Sequence, residues 1–113
     1  MFRSLRALLT VGIFVIMAAP ALAATMTPSD VIAKAASLDG TTVTVSGKVA
    51  KFQHSSTLIG TISAYQLCDT KCIVVIDQKN GAQVNGQSAR ATGTFHAQYK
   101  GPRPFKNVVM ISK

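Results

Sequence analysis

Residues 39–52 read DGTTVTVSGKVAKF, and the skeleton inside them is Gly40-x-x-Val43-x-Val45-x-Gly47-x-Val49. β-Branched residues at period two between two glycines describe a strand with one face turned to the core and one to water. The same skeleton returns in residues 85–98, NGQSARATGTFHAQ, as Gly86-x-x-Ala89-x-Ala91-x-Gly93-x-Phe95. A glycine inside a strand permits a sharp bend or a close backbone approach. Two strands with matched glycines therefore predict a small sheet closed into a barrel rather than a flat sandwich.

Outward from that stretch, the beginning of the chain has the pattern of a secretory signal. Arg3 and Arg6 precede an apolar run from Ala7 to Ala19, followed by Pro20 and the small-residue site Ala21-Leu22-Ala23. The expectation is a cleaved signal over residues 1–23, a periplasmic or secreted location, and no membrane anchor after cleavage. The rest, residues 24–113, has the size of one domain. It carries eight Lys and two Arg against four Asp and no Glu, a net charge of +6. That surplus favours polyanionic partners such as nucleic acid, anionic headgroups or acidic polysaccharide, and it equally describes a basic soluble protein.

Between residues 24 and 39 one helix is expected, from about Pro28 to Ser37. Thr27 is placed to cap it, Pro28 to occupy its first position, and Asp30 to sit in its first turn. Strands follow at about Thr41–Lys51, Leu58–Leu67, Cys72–Asp77, Gln87–Gln98 and Asn107–Ser112. Gln53–Ser56 reads as a polar connection and Gly60 as a bulge marker. The unbroken Ile73-Val74-Val75-Ile76 run predicts a strand buried on both faces. Between Gln78 and Gly86 the two Asn-Gly pairs leave room only for turns.

Cys68 and Cys72 are the only cysteines. In an exported chain they read as a disulfide closing a three-residue hairpin loop, Asp69-Thr70-Lys71. A metal or thiol-redox role for the pair remains a second reading, with His54 and His96 completing a chemically sensible ligand set. No metal or other cofactor is required. The four Asp fall in separate elements and no Gly-x-Ser-x-Gly or His-Glu-x-x-His occurs, so the chain reads as no enzyme.

The five strands, the repeated glycine spacing and the segment Tyr65-Gln66-Leu67-Cys68-Asp69, similar to an aromatic-x-Leu-x-Asp second-strand ending, together resemble the OB-fold. More narrowly, residues 40–113 resemble exported bacterial OB-fold domains, the anticodon-binding-like and bacterial periplasmic OB families. The resemblance implies a mainly β, five-stranded OB-fold barrel over 40–113 with an N-terminal helix, residues 24–39, packed on it. One departure is the lack of a helix between the third and fourth strands, where the N-terminal helix is expected to substitute. OB-folds bind across their second and third strands between two flanking loops. Carried onto this chain, that implies a site with Lys51 and Phe52, near His54, in the first loop. Tyr99, Lys100, Arg103, Phe105 and Lys106 would lie in the last loop, with Tyr65 on the face between. Rings would stack on bases or sugars and cations would neutralise phosphates. The expected function is a monomeric, non-enzymatic binding module for nucleic acid or another polyanion. An envelope metal or redox protein, or a structural protein docking an envelope partner, are the alternatives.

Overall fold

The computed structural model describes residues 24–58, 60–101 and 104–112. The expected signal segment and Arg103 lie outside those residues. The described chain is mainly β. In order it forms β1 (Thr25–Met26), α1 (Pro28–Ala33), α2 (Ala35–Leu38), β2 (Thr42–Thr57), β3 (Gly60–Cys68), β4 (Cys72–Asp77), β5 (Ser88–Lys100) and β6 (Pro104–Ile111). No described helix is long and apolar enough to cross a membrane.

The six strands make one mixed sheet in the order β1-β2-β3-β4-β6-β5, and a further pairing of β2 with β5 turns the last five into a ring. Two contacts are parallel, β1 on β2 and β4 on β6; the rest are antiparallel. The sixteen-residue β2 makes the ring possible by serving two neighbours. Thr42–Lys48 pair with β5 and Lys48–Thr57 pair with β3.

The two glycine motifs are each other's partners across the β2–β5 ladder, Val43 opposite Gly93 and Gly47 opposite Ala89. A Cβ on Gly93 would collide with the carbonyl oxygen of Met110 on β6, and one on Gly47 would crowd the Cys68 backbone and the Pro28 ring. These glycines are therefore where neighbouring elements approach most closely. Val43, Val45, Val49, Leu67, Ile73, Val75, Ala91, Phe95 and Val109 fill the interior.

One bulge changes the parity of β2. Between Ala50 and Gln53 the register with β3 slips by one residue, and Lys51 takes a left-handed conformation with φ 54°. An extra residue moves every later side chain to the other face. Val43, Val45 and Val49 point inward before it; Phe52 joins the core's flank after it, its ring 6.0 Å from Tyr65 and 5.0 Å from His54. The bulge thus lies in β2 rather than at Gly60, which opens β3 at φ 120°. Gln53–Ser56, expected as a connection, continue the strand.

The helical segment is two short helices, not one. Thr27 accepts from the Asp30 amide at 3.2 Å as the expected N-cap, and the chain breaks step at Lys34 (φ −109°, ψ 19°). Val31 is fully buried in the core. The helices seal the ring at the Cys68–Cys72 end, where Ser29 donates to Asp69 through its hydroxyl (2.5 Å) and its amide (3.2 Å). They do not substitute for the missing helix between β4 and β5. Residues 78–87 close that opposite end themselves: Ser63 donates to the Gly81 carbonyl at 2.6 Å, and Asn85 accepts from the Phe52 amide at 2.9 Å. Asp77 fixes the turn by accepting from the Lys79 and Gly81 amides.

Candidate functional site

Two hairpin arms extend beyond the ring, and between them the outer face of β3, β4 and β6 forms a groove of about 740 Å³. Its floor is Ile62 and Ala64 of β3, Val74 and Ile76 of β4 and Met110 of β6. Val108 is buried in the same outer cluster. The β2–β3 arm supplies a polar wall of Gln53, Ser55 and Thr57 with Leu58 at its tip, and Gln78 adjoins from the end of β4. The β5–β6 arm supplies an aromatic wall, Tyr99 and Phe105, which are directly opposite one another in the ladder. Leu58 is fully solvent-exposed and Phe105 is 38 % exposed. No charged side chain lines this groove among the described residues.

The β5–β6 arm has a conformational cause. Asn107 adopts a left-handed conformation (φ 56°) where the ladder passes from His96–Val108 to Gln98–Lys106. The Ala97 amide turns instead to the Asp39 carboxylate at 2.9 Å. Beyond this kink the strands continue through Lys100 and from Pro104, so Tyr99, Lys100, Phe105 and Lys106, expected in a loop, lie in a β-ribbon. Successive side chains on a strand point to opposite faces. Lys100 and Lys106 therefore alternate with Tyr99 and Phe105 along the ribbon, and a second, smaller recess of about 280 Å³ is lined by both lysines, Gln98 and Pro104 together with the two rings.

The expected site residues separate accordingly. Tyr99 and Phe105 come together at the groove, and Lys100 and Lys106 alternate with them along the ribbon. Lys51 is exposed at the β2 bulge, and Phe52 packs on the core beside it. Tyr65 does not lie on the outer face; it is 3 % exposed inside the ring. Burial there, reinforced by the Asp77 carboxylate, raises its phenol pKa above the ordinary value, opposed by a hydrogen bond with Gln83. The groove's floor and polar wall were not anticipated as a site, although the doubly apolar β4 run carried the signal.

Cys68 and Cys72 form the expected disulfide, with Cα atoms 4.1 Å apart. Among the described residues no three His, Cys, Asp or Glu gather as a metal site. His54 lies along the polar arm, its Nδ1 2.6 Å from Asn80 Oδ1, and His96 lies at the base of the other arm with its ring 6.0 Å from that of Tyr99. Ser63, the residue opposite His54, is five residues before Cys68 along β3.

No protein-family model matches this chain. No curated protein matches it either. Among solved structures it is similar to the crystal structure of a candidate nucleic acid-binding lipoprotein from Klebsiella pneumoniae, with a TM-score of 0.59 and 19 % sequence identity over 81 % of this chain and 91 % of that one. The likeness is one of fold.

Proposed function

We propose that this protein is an exported, non-enzymatic OB-fold binding module that takes a single-stranded nucleic acid across its groove. The observation that carries the reading is the Tyr99–Phe105 pair standing at the edge of a groove on the second, third and fifth strands of the ring. In an OB-fold barrel that face, between the arms joining strands one to two and four to five, is the ligand surface. Paired rings offer stacking to any base, while Lys100 and Lys106 beside them attract the backbone. The fold-level likeness to a protein described as nucleic acid-binding supports the same reading. The disulfide and the signal-like first 23 residues support a periplasmic or secreted location. Acidic polysaccharide is the other polyanion consistent with the charge.

The test is fluorescence anisotropy of a labelled single-stranded oligonucleotide titrated with the full chain after its signal. Binding that falls about 5-fold or more per ring in Tyr99→Ala and Phe105→Ala is expected, since base stacking on one ring contributes about 1–3 kcal/mol. Undiminished binding by the double variant would remove the groove from consideration.

A further inference from the structure

The groove's own lining is uncharged among the described residues, and Lys100 and Lys106 do not line it but alternate with its two rings along the β5–β6 ribbon. A polyanion whose phosphates lay along the floor would meet Ile62, Val74 and Ile76 rather than any cation. The complementary arrangement puts the flat, neutral parts of the ligand inward and its charges outward. The same groove is lined by Gln53 and Ser55 of the other arm and by Gln78 at the end of β4, whose side chains make no hydrogen bond among the described residues. Thr57 is already committed, donating to the Gly60 carbonyl at 2.6 Å. An amide carries one acceptor and two donor hydrogens side by side, so it can pair with two adjacent polar atoms on the edge of a heterocycle.

We infer that this groove is base-selective: Tyr99 and Phe105 stack a nucleobase while Gln53, from the other arm, and Gln78, from the end of β4, read its hydrogen-bonding edge. The inference rests on the nucleic acid reading above and adds what that reading lacks, a source of discrimination. Stacking alone tolerates every base, because every base has a π-face. A neutral reading wall also has a particular signature. Salt acts on the phosphate contacts and leaves neutral hydrogen bonds between base and amide largely untouched. Overall affinity should therefore fall with salt while the preference among bases stays constant.

The experiment compares homopolymers of deoxyadenylate, deoxycytidylate and deoxythymidylate, each of about 12 nucleotides, a length within the usual OB-fold site size. Each is titrated at low and moderate salt with the wild type and with Gln53→Ala, Gln78→Ala and the double variant. Gln78→Met, which keeps the side chain's length without its amide, controls for lost packing. Thermal melts confirm that each variant folds. The wild type is expected to prefer one homopolymer by about 5-fold or more, the discrimination that a single bidentate contact provides. That preference should persist across salt, and it should collapse in the double variant and weaken in Gln78→Met with the salt slope unchanged. Equal binding of all three homopolymers, or a preference surviving in the double variant, overturns the inference while leaving the binding function standing. Failure of every homopolymer to bind removes both.

Discussion

Gly40 donates its amide hydrogen to the carbonyl oxygen of Phe95 across 2.8 Å. The relationship is reciprocated: Gly86, the counterpart of Gly40 in the second motif, donates to Val49, the counterpart of Phe95 in the first, at 2.7 Å. The amides of Phe95 and Val49 in turn donate to the residues after the two glycines, Thr41 and Gln87. The two copies of the motif are thus related by a local two-fold. Each glycine opens its strand in the left-handed region, at φ 82° and 87°.

The glycines at the two ends of a motif should respond differently to substitution. At Gly40 a Cβ meets open space and the obstacle is conformational, so Gly40→Asn should be better tolerated than Gly40→Ala, because Asn visits the left-handed region more readily. At Gly93 the obstacle is the Met110 carbonyl, and no residue with a Cβ escapes it. Gly93→Ala should cost about 1–3 kcal/mol, read as a lowered urea midpoint.

Reduction of the Cys68–Cys72 bridge closes off a separate contribution. A loop this short yields only about 2 kcal/mol in the chain-entropy account. Paired urea melts of the oxidised protein and of Cys68→Ser/Cys72→Ser should show a displaced midpoint of that size, with the fold's circular dichroism retained.

Asp69 links the bridge loop to the first helix and should register in acid. Its carboxyl is held below the ordinary carboxylate pKa, chiefly by the Ser29 hydroxyl and also by the Lys71 amide. A depressed pKa stabilises the fold above the unfolded-state carboxylate value, and that contribution fades as pH falls through the folded-state pKa. Urea melts across pH should show Asp69→Asn less stable than the wild type at neutral pH, with the two converging in acid. A gap that stays constant down the acid limb would refute the linkage.

Tyr65 gives the opposite limb. Its raised pKa favours the neutral phenol in the fold, so stability is full below the unfolded-state phenol pKa, about 10, and declines as pH rises through the folded-state value. Tyr65→Phe should flatten that alkaline decline. At neutral pH it should cost about 1 kcal/mol for the lost hydrogen bond with Gln83.

The two lysines beside the aromatic wall set a salt dependence. If Lys100 and Lys106 each neutralise one phosphate of a single strand, replacing both by Ala should reduce the slope of log affinity against log salt by about 1.4. The preference among bases should not change.

Much of the architecture was legible because glycine and β-branched spacing report directly on backbone requirements. The β2 bulge was not, because Lys51 is neither Gly nor Asn and nothing local announces its left-handed conformation. With the parity changed there, Phe52 and His54 looked like loop residues although they continue the strand. The reading of Tyr99, Lys100, Phe105 and Lys106 as loop residues differs from the structure for a related reason. Alternation at period two within a strand separates the two kinds of side chain onto opposite faces, and a loop reading merges them. The groove floor was present in the sequence as residues apolar on both sides of adjacent strands, Ile73–Ile76 and Val108–Met110. One set of those faces builds the interior and the other lines the groove.

The double service of β2 bears on how the molecule assembles during synthesis. β2, β3 and β4 can pair with their sequence neighbours as soon as they emerge, but β2 cannot meet β5 until Phe95 is free to reach back to Thr41 and Gly40. Contacts between such distant residues form slowly because a long intervening chain must first be ordered. Until then the edge of Thr42–Ser46 facing β5 has unpaired backbone amides and carbonyls, with Val43 and Val45 beside them, an invitation to pair with another molecule. A nascent chain halted before residue 95 is accordingly the form of this protein most prone to aggregate, and the final third of its sequence acts as an intramolecular shield for the first strand of the ring.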